Sequence, residues 1–299
     1  KLNIKMNLVN CVIVTYFPDI KCLEKLILNM KNQVENIIIC DNSPKNHHIE
    51  IKENNKIKIY KLDKNTGIAE AQNIGLDHSF NNGAKYVVTM DQDSIPEKDL
   101  VEKLINAYNF LTKNNYNPGV LGSIYMDKNV SKINKSNNFY YEKSIENTNY
   151  TISSFVISSG SLIPKKIYDD IGGMDSKLFI DYVDFEYCWR AKKFGYSTHL
   201  IKDAKIFHHH GQGQVKLLFG LINVLIEEPI RNYYSSRNLI LLIRRDYVPK
   251  IWLILNLFRL LLKIFTIPLM PGSVSKRYKY IFRGIYDALK NKSGEITKN

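Results

Sequence analysis

The feature that most constrains this chain is an alternation over its first third. Short β-branched runs take turns with amphipathic helical stretches, and each run closes on polar residues. Residues 8–16 (LVNCVIVTY) read as a buried strand stopped by Phe17-Pro18. Residues 19–31 then carry Cys22, Leu23, Leu26, Ile27 and Met30 at the spacing of a helix lying on a sheet. Further strands are expected at 36–40, 57–62 and 86–90, with a helix opening at Thr66-Gly67 and running to about Ser79. Strands alternating with helices imply a mostly parallel sheet flanked by helices, whose ligand crevice lies beyond the carboxyl ends of the strands. Those ends carry Thr15, Asp41, Asn65 and Asp91-Gln92-Asp93, so four strands direct polar groups to one rim.

After Asp93 the pattern loosens. Residues 97–111 read as a helix, 119–125 as a strand and 127–149 as an Asn/Lys-rich surface insertion. Order returns at 151–163, and 183–194 reads as a helix closed by Gly195. No internal repeat is present. Four cysteines, Cys11, Cys22, Cys40 and Cys188, lack C-x-x-C spacing, and two of them sit in apolar runs, which suits a reducing compartment. Residues 1–7 lack an apolar stretch after their lysines, so no secretory signal is expected.

Charge divides the chain unequally. Of its net +13, residues 231–299 hold fourteen Lys/Arg against three Asp/Glu, a net of +11, which leaves residues 1–230 nearly neutral. A neutral body (1–230) followed by a basic tail (231–299) points to an anionic partner, phospholipid or nucleic acid; a solvated lysine-rich surface is the plainer reading. Within the tail, residues 251–267 (IWLILNLFRLLLKIFTI) are apolar except for Asn256, Arg259, Lys263 and Thr266, which form one stripe at about 100° per residue. At about 1.5 Å per residue the segment is roughly 25 Å long, short of a ~30 Å hydrocarbon core. A helix lying in a membrane interface is therefore expected, supported by Arg244, Arg245, Lys250, Lys276, Arg277 and Lys279. Packing on the body, or on a second copy in a homodimer, is the competing placement.

Three motifs carry chemistry. Asp91-Gln92-Asp93 puts two carboxylates at a strand end, where they suit Mg²⁺ or Mn²⁺ on a phosphate; an ordinary strand-ending turn has the same sequence. In 65–75 (NTGIAEAQNIG), Gly67 and its small neighbours allow close approach, and Asn65 and Asn73 offer amides; a capped helix with a small packing face reads identically. Asp181, Asp184 and Glu186 stand among aromatics, where acids are costly unless solvated, paired or used. His208-His209-His210 cannot all ligate one ion, because neighbours in an extended segment face opposite ways. A dinucleotide-binding G-x-G-x-x-G is absent after the first strand.

Taken together, Val14-Thr15-Tyr16, Cys40-Asp41-Asn42, residues 65–75, Asp91-Gln92-Asp93-Ser94, Ser159-Gly160-Ser161, D-Y-V-D-x-E at 181–186 and His208-x-x-Gly211 resemble an inverting family 2 glycosyltransferase of GT-A fold, of the bacterial rhamnosyltransferase type. The resemblance covers residues 8–245 and includes Y-Y-x-x-R-N at 233–238. It implies a nucleotide-sugar donor, dTDP-β-L-rhamnose, held by Thr15, Tyr16, Asp41, Asn65, Gly67, Asn73, Asp91 and Gln92. It also implies a Mg²⁺ or Mn²⁺ ion on Asp93 with His208, and acceptor or phosphate contacts from Ser159, Gly160, Glu186, Arg190, Tyr233 and Arg237. Many relatives have Glu-Asp where this chain has Val183-Asp184, so the base is Asp184, with Asp181 as its substitute. The implied acceptor is a glycan, carried on undecaprenyl diphosphate at the inner face of a bacterial membrane, with the enzyme cytoplasmic and peripheral. A UDP-hexose donor is the nearest alternative. A nucleotidyltransferase would release pyrophosphate instead, and a nucleic-acid-binding protein would need a reader motif that this chain lacks.

Overall fold

The computed structural model describes residues 8–47, 49–127, 143–208, 214–217, 222–225 and 228–297; the side chains of Asp127, His208 and the segments 214–217 and 222–225 lie outside that description. Most of the expected insertion at 127–149 also falls outside it.

The chain folds into two compact units, residues 1–176 with 184–209, and residues 177–183 with 210–299. The boundary drawn from charge at residue 230 is not where packing divides the chain: a short piece ahead of Asp184 belongs to the second unit.

In the first unit the alternation is realised as β1 (Val9–Thr15), α1 (Ile20–Met30), β2 (Asn36–Asp41), β3 (Ile57–Lys61), α2 (Ile68–Asn81) and β4 (Tyr86–Asp91). These are followed by β5 (Ser94–Pro96), α3 (Leu100–Lys113), β6 (Pro118–Asp127), β7 (Lys143–Ser144), β8 (Tyr150–Ser153), β9 (Ser161–Pro164), α4 (Lys165–Ile171), α5 (Val183–Lys193) and β10 (Ser197–His208). The sheet order is β3-β2-β1-β4-β9-β6-β10-β8-β7, with β5 also pairing β10. Strands β3, β2, β1 and β4 are parallel, while β9 joins β4 antiparallel and β8 joins β10 antiparallel, so the sheet is mixed.

Strand alternation assigns the two faces. Cys11 and Ile13 join Ile37, Ile39, Val88 and Met90 beneath α1 and α3, which bury Leu23, Leu26, Met30, Leu100, Leu104 and Leu111. Val12 points the other way, under α2. There a Cβ on Gly75 would lie 2.4 Å from Val12 Cγ1, so only glycine lets the helix approach this closely. Asp19 caps α1 by accepting from the Cys22 N–H at 3.1 Å. All four cysteines are free thiols.

The second unit contains β11 (Gln214–Leu217) paired antiparallel with β12 (Ile222–Leu225), then α6 (Pro229–Ile243), α7 (Lys250–Thr266) and α8 (Val274–Leu289). Helices α6 and α8 touch at Gly284, where a Cβ would meet the Tyr233 carbonyl oxygen at 2.5 Å. The segment just after α7 packs on α8 through Ile267, Met270 and Ile281, with Leu260 and Ile264 of α7 and Tyr278 at the margin. Opposite that contact, α7 turns outward Ile251, Ile254 (65% exposed), Phe258 (64%), Leu261 and Phe265 (77%) at intervals of three and four. Of the polar stripe, Arg259 is exposed while Asn256, Lys263 and Thr266 are half-buried; Asn256 and Thr266 bond to carbonyls of their own helix. Residues Lys250–Leu269 are long and apolar enough to cross a membrane by length and composition. Arg277, expected at the surface, is buried and donates to the Pro271 carbonyl at 3.2 Å.

Candidate active site

Reversal of strand order between β1 and β4 creates a switch point, the position at which open α/β sheets bind ligands. Register aligns the carboxyl ends there: Thr15 lies opposite Asp41, and Val14 opposite Asp91. Thr15 Oγ1 donates to Asp41 Oδ1 at 3.1 Å, and the Ser43 N–H donates to the same oxygen at 3.1 Å. Asn42 ties in the loop before α2. It donates to Asn65 Oδ1 at 3.1 Å and accepts from the Thr66 N–H at 2.7 Å, while Asn65 Oδ1 also accepts from the Gly67 N–H at 3.0 Å. Gly67 takes φ +86°, a backbone open to few side chains, where the chain enters α2.

Asp91 closes β4 and Ser94 opens β5, so Asp91-Gln92-Asp93 forms the turn by which the chain passes from β4, beside β1, to β5, beside β10. Gln92 does not face a ligand with its amide. It accepts from the Tyr16 N–H at 2.7 Å and donates to the Tyr16 carbonyl at 3.2 Å, which fixes the exposed Tyr16 ring at the rim. Beside it Phe17 and His47 meet edge to face.

A second loop, Ser158-Ser159-Gly160, is stitched to this turn. Ser159 Oγ accepts from the Asp91 N–H at 3.1 Å and donates to Ser94 Oγ at 2.9 Å; the Gly160 N–H reaches the Thr89 carbonyl at 2.8 Å. Ser159 and Gly160 are both buried, and a Cβ on Gly160 would lie 2.1 Å from Ser123 Oγ. Both positions, expected as acceptor or phosphate contacts, are tied into the loop's framework by these bonds. Ser158 was not singled out by sequence as a site residue. Its hydroxyl accepts from Gln72 Nε2 at 2.5 Å, and its N–H donates to Asp184 Oδ2 at 3.2 Å. The only sequence signal for Gln72 is a polar residue on the small-residue face of α2.

Asp184 lies in the first turn of α5, where Oδ1 also accepts from the Phe185 N–H at 3.0 Å. Removal from water, with a smaller part from the charge of nearby Asp91, raises its pKa from the ordinary 3.8 to about 7; the backbone donors act in the opposite direction without cancelling burial. A carboxylate poised near neutrality, at the switch point of an α/β sheet and within reach of a second acid, can take up a proton.

The sequence model described as Glycosyl transferase family 2 matches residues 11–172. The chain belongs to that family. It is 34% identical over 286 residues, 93% of each chain, to a Shigella flexneri protein named dTDP-rhamnosyl transferase RfbF. Among solved structures, GalNAc-T7 with UDP, GalNAc and Mn²⁺ superposes at TM-score 0.58 with 12% identity, over 96% of this chain and 57% of that one. S. aureus TarS 1-349 gives 0.54 with 15% identity, over 94% and 80%. This chain thus spans little more than half of GalNAc-T7, and both likenesses are of fold.

Within this glycosyltransferase several residues expected at the ligand are bonded to other parts of the chain. Asn73 spends its amide on the 173–176 loop, donating to the Met174 carbonyl at 2.9 Å and accepting from the Met174 N–H at 2.7 Å. Glu186, almost fully buried, pairs with Arg190 at 2.9 and 3.0 Å, and Arg190 also donates to the carbonyls of Ile171 and Gly173. A buried charge is held by partners of this kind, so this pair braces α5. Tyr233 donates to buried Asp287 at 3.0 Å, and Arg237 is 0% exposed, its donors facing backbone carbonyls. Asp181, weighed as the substitute base, is ion-paired with Arg231 in the second unit.

Two oxygen ligands at one strand end fit a hard cation that completes its shell with diphosphate and water. His208 lies opposite Ser94 by backbone register, though its side chain is outside the described residues. Among the described residues, no group of three or more His, Cys, Asp or Glu is arranged to hold a metal.

Proposed function

We propose that this family 2 glycosyltransferase moves L-rhamnose from dTDP-β-L-rhamnose to a hydroxyl of a glycan acceptor with inversion at the anomeric carbon. The observation that carries the mechanism is Asp184, a carboxylate lifted to about pH 7 beside Asp91. The donor follows from the 34% identical relative named for dTDP-rhamnosyl transfer.

Thr15, Asp41, Asn65 and the Tyr16 ring hold the nucleoside at the rim, with Gln92 keeping Tyr16 in place. Asp91 and Asp93 would hold a Mg²⁺ or Mn²⁺ ion, which would supply positive charge against the diphosphate. Asp184 accepts the proton of the acceptor hydroxyl as that oxygen bonds to the anomeric carbon and the bond to the diphosphate breaks, giving the glycoside and dTDP. A single displacement needs no covalent nucleophile.

The acceptor in this reading is a glycan on a polyprenyl diphosphate at the cytoplasmic face of the membrane. Support comes from the outward apolar face of α7 and from exposed Lys250, Arg259, Lys276, Lys279 and Lys290 on α7, α8 and the residue beyond.

A panel of nucleotide sugars, with Mg²⁺, with Mn²⁺ and with chelator, tests the reaction. Metal-dependent release of dTDP from dTDP-rhamnose is expected; turnover of a UDP-hexose with dTDP-rhamnose inert would overturn the donor, and pyrophosphate release would overturn the class.

A further inference from the structure

The seven residues 177–183 pack with the second unit, and the chain passes from them straight into Asp184. Within this segment Phe179, Asp181 and Tyr182 have φ of +65°, +70° and +63°. Three non-glycine residues of four in the left-handed region are held against their preference, and such a stretch persists only where its surroundings over-determine it.

The holding groups are Arg237 and Asn238 on α6, both fully buried. Asn238 Nδ2 donates to the carbonyls of Leu178 at 2.8 Å, Ile180 at 2.7 Å and Asp181 at 3.1 Å. Arg237 donates to the carbonyls of Leu178 at 3.0 Å and Lys177 at 3.2 Å. Arg237 also sets the amide's orientation: its Nε and one terminal nitrogen donate to Asn238 Oδ1 at 3.0 and 2.9 Å, which leaves the amide nitrogen to face the turn. The guanidinium is fixed in turn over the rings of Tyr233 and Tyr234 at 5.2 and 5.1 Å, and Tyr234 stacks on Phe179 at 4.8 Å. Helix packing alone needs no such grip. Five of these bonds end on carbonyls of residues 177–181, just ahead of Asp184, while the other terminal nitrogen of Arg237 donates to the Gly294 carbonyl at 2.5 Å.

We propose that Arg237 and Asn238 are positioning residues for catalysis: they impose the left-handed turn at 179–182 that sets where Asp184 enters α5. The proposal rests on Asp184 as the base. Without the clamp the turn relaxes toward ordinary φ, the start of α5 shifts, and the carboxylate leaves the line of the acceptor hydroxyl. Displacement of a reacting group by about 1 Å costs on the order of 100-fold in rate.

Asn238→Ala and Arg237→Lys, the second keeping the charge but losing the planar fork, are tested in the full-length enzyme. The readouts are circular dichroism, dTDP affinity by calorimetry, and kcat and kcat/KM against pH. Expected are a folded protein, dTDP affinity within about twofold of the parent, a fall in kcat of about 100-fold, and an apparent pKa displaced from about 7. A folded variant with the parental kcat and pH profile overturns the proposal. So does failure of both variants to fold, which would give the pair to the fold alone. Asp184→Asn separates the two readings: if it transfers normally, the base is wrong, whereas an inactive Asp184→Asn beside a fully active Asn238→Ala removes only the clamp.

Discussion

The backbone N–H of Ser158 donates to Asp184 Oδ2 at 3.2 Å, joining a loop from the middle of the chain to the first turn of α5. The next residue, Ser159, bonds the N–H of Asp91, so one short loop spaces the proposed base from the acidic turn. Asp91 in turn raises the pKa of Asp184. Geometry and electrostatics thus reinforce each other at one point: the loop fixes the two acids in mutual reach, and burial, with a smaller part from Asp91, keeps Asp184 protonatable near neutrality.

Activity should therefore titrate with Asp184. As a base it works only when deprotonated, so log kcat/KM is expected to rise with unit slope below about pH 7 and level off above it. Asp184→Asn should lower transfer by about 100-fold or more while sparing donor binding. A profile flat from pH 5 to 8, or normal transfer by Asp184→Asn with Asp181→Asn inactive, would assign the base elsewhere.

The same shift has a stability signature of opposite sense. Folding raises the pKa of Asp184 from 3.8 to about 7, so the folded state binds the extra proton and loses stability as pH rises through that window. The loss runs at up to about 1.4 kcal/mol per pH unit. Asp184→Asn, which has nothing to ionise, should exceed the parent in Tm at pH 8 and lose that advantage near pH 4. Equal differences at both pH values would mean that the carboxylate is not desolvated.

The strand-end rim was legible in the sequence because it depends on local signals. Thr15, Asp41 and Asp91 each follow an apolar run of the right length, and strand period with parallel order brings them together. The partners of Asn73, Arg190 and Arg237 were not legible. Asn73 bonds Met174 and Arg237 bonds Leu178, across separations that no periodicity spans, so a polar residue in a recognised motif reads the same whether it meets ligand or backbone. The burial of α7 was not legible for a related reason: Asn256 and Thr266 bond to carbonyls of their own helix, which lets both be half-buried while Arg259 and the apolar face stay exposed.

Gln92 is expected to act on donor affinity through Tyr16. Gln92→Ala removes two hydrogen bonds to the Tyr16 backbone, and loss of that order should raise donor KM by about tenfold with kcat nearly unchanged. A loss confined to kcat would place Gln92 at the reacting centre instead.

Arg190 and Glu186 should behave as a brace. Arg190→Met strands a buried Glu186 carboxylate and is expected to cost about 3 kcal/mol in denaturant unfolding. Where that variant is still folded, KM for donor and acceptor should match the parent. A raised KM without lost stability would restore Arg190 as a ligand contact.

The outward face of α7 carries the last prediction. Phe258 and Phe265 stand 64% and 77% exposed on one strip with exposed Ile254 and Leu261, beside exposed Arg259. Burying such a ring in a bilayer interface is worth about 1.5–3 kcal/mol, so each Phe→Ser change should weaken vesicle binding by about tenfold or more. The lysines add a part that salt screens. Full-length protein is expected to float with phosphatidylglycerol vesicles at low salt, to bind less at high salt, and to lose flotation in Phe258→Ser/Phe265→Ser while retaining donor turnover. Indifference to anionic vesicles would remove the membrane from this face. A concentration-dependent dimer that the same double change dissolves would instead give the face to a second copy of the chain.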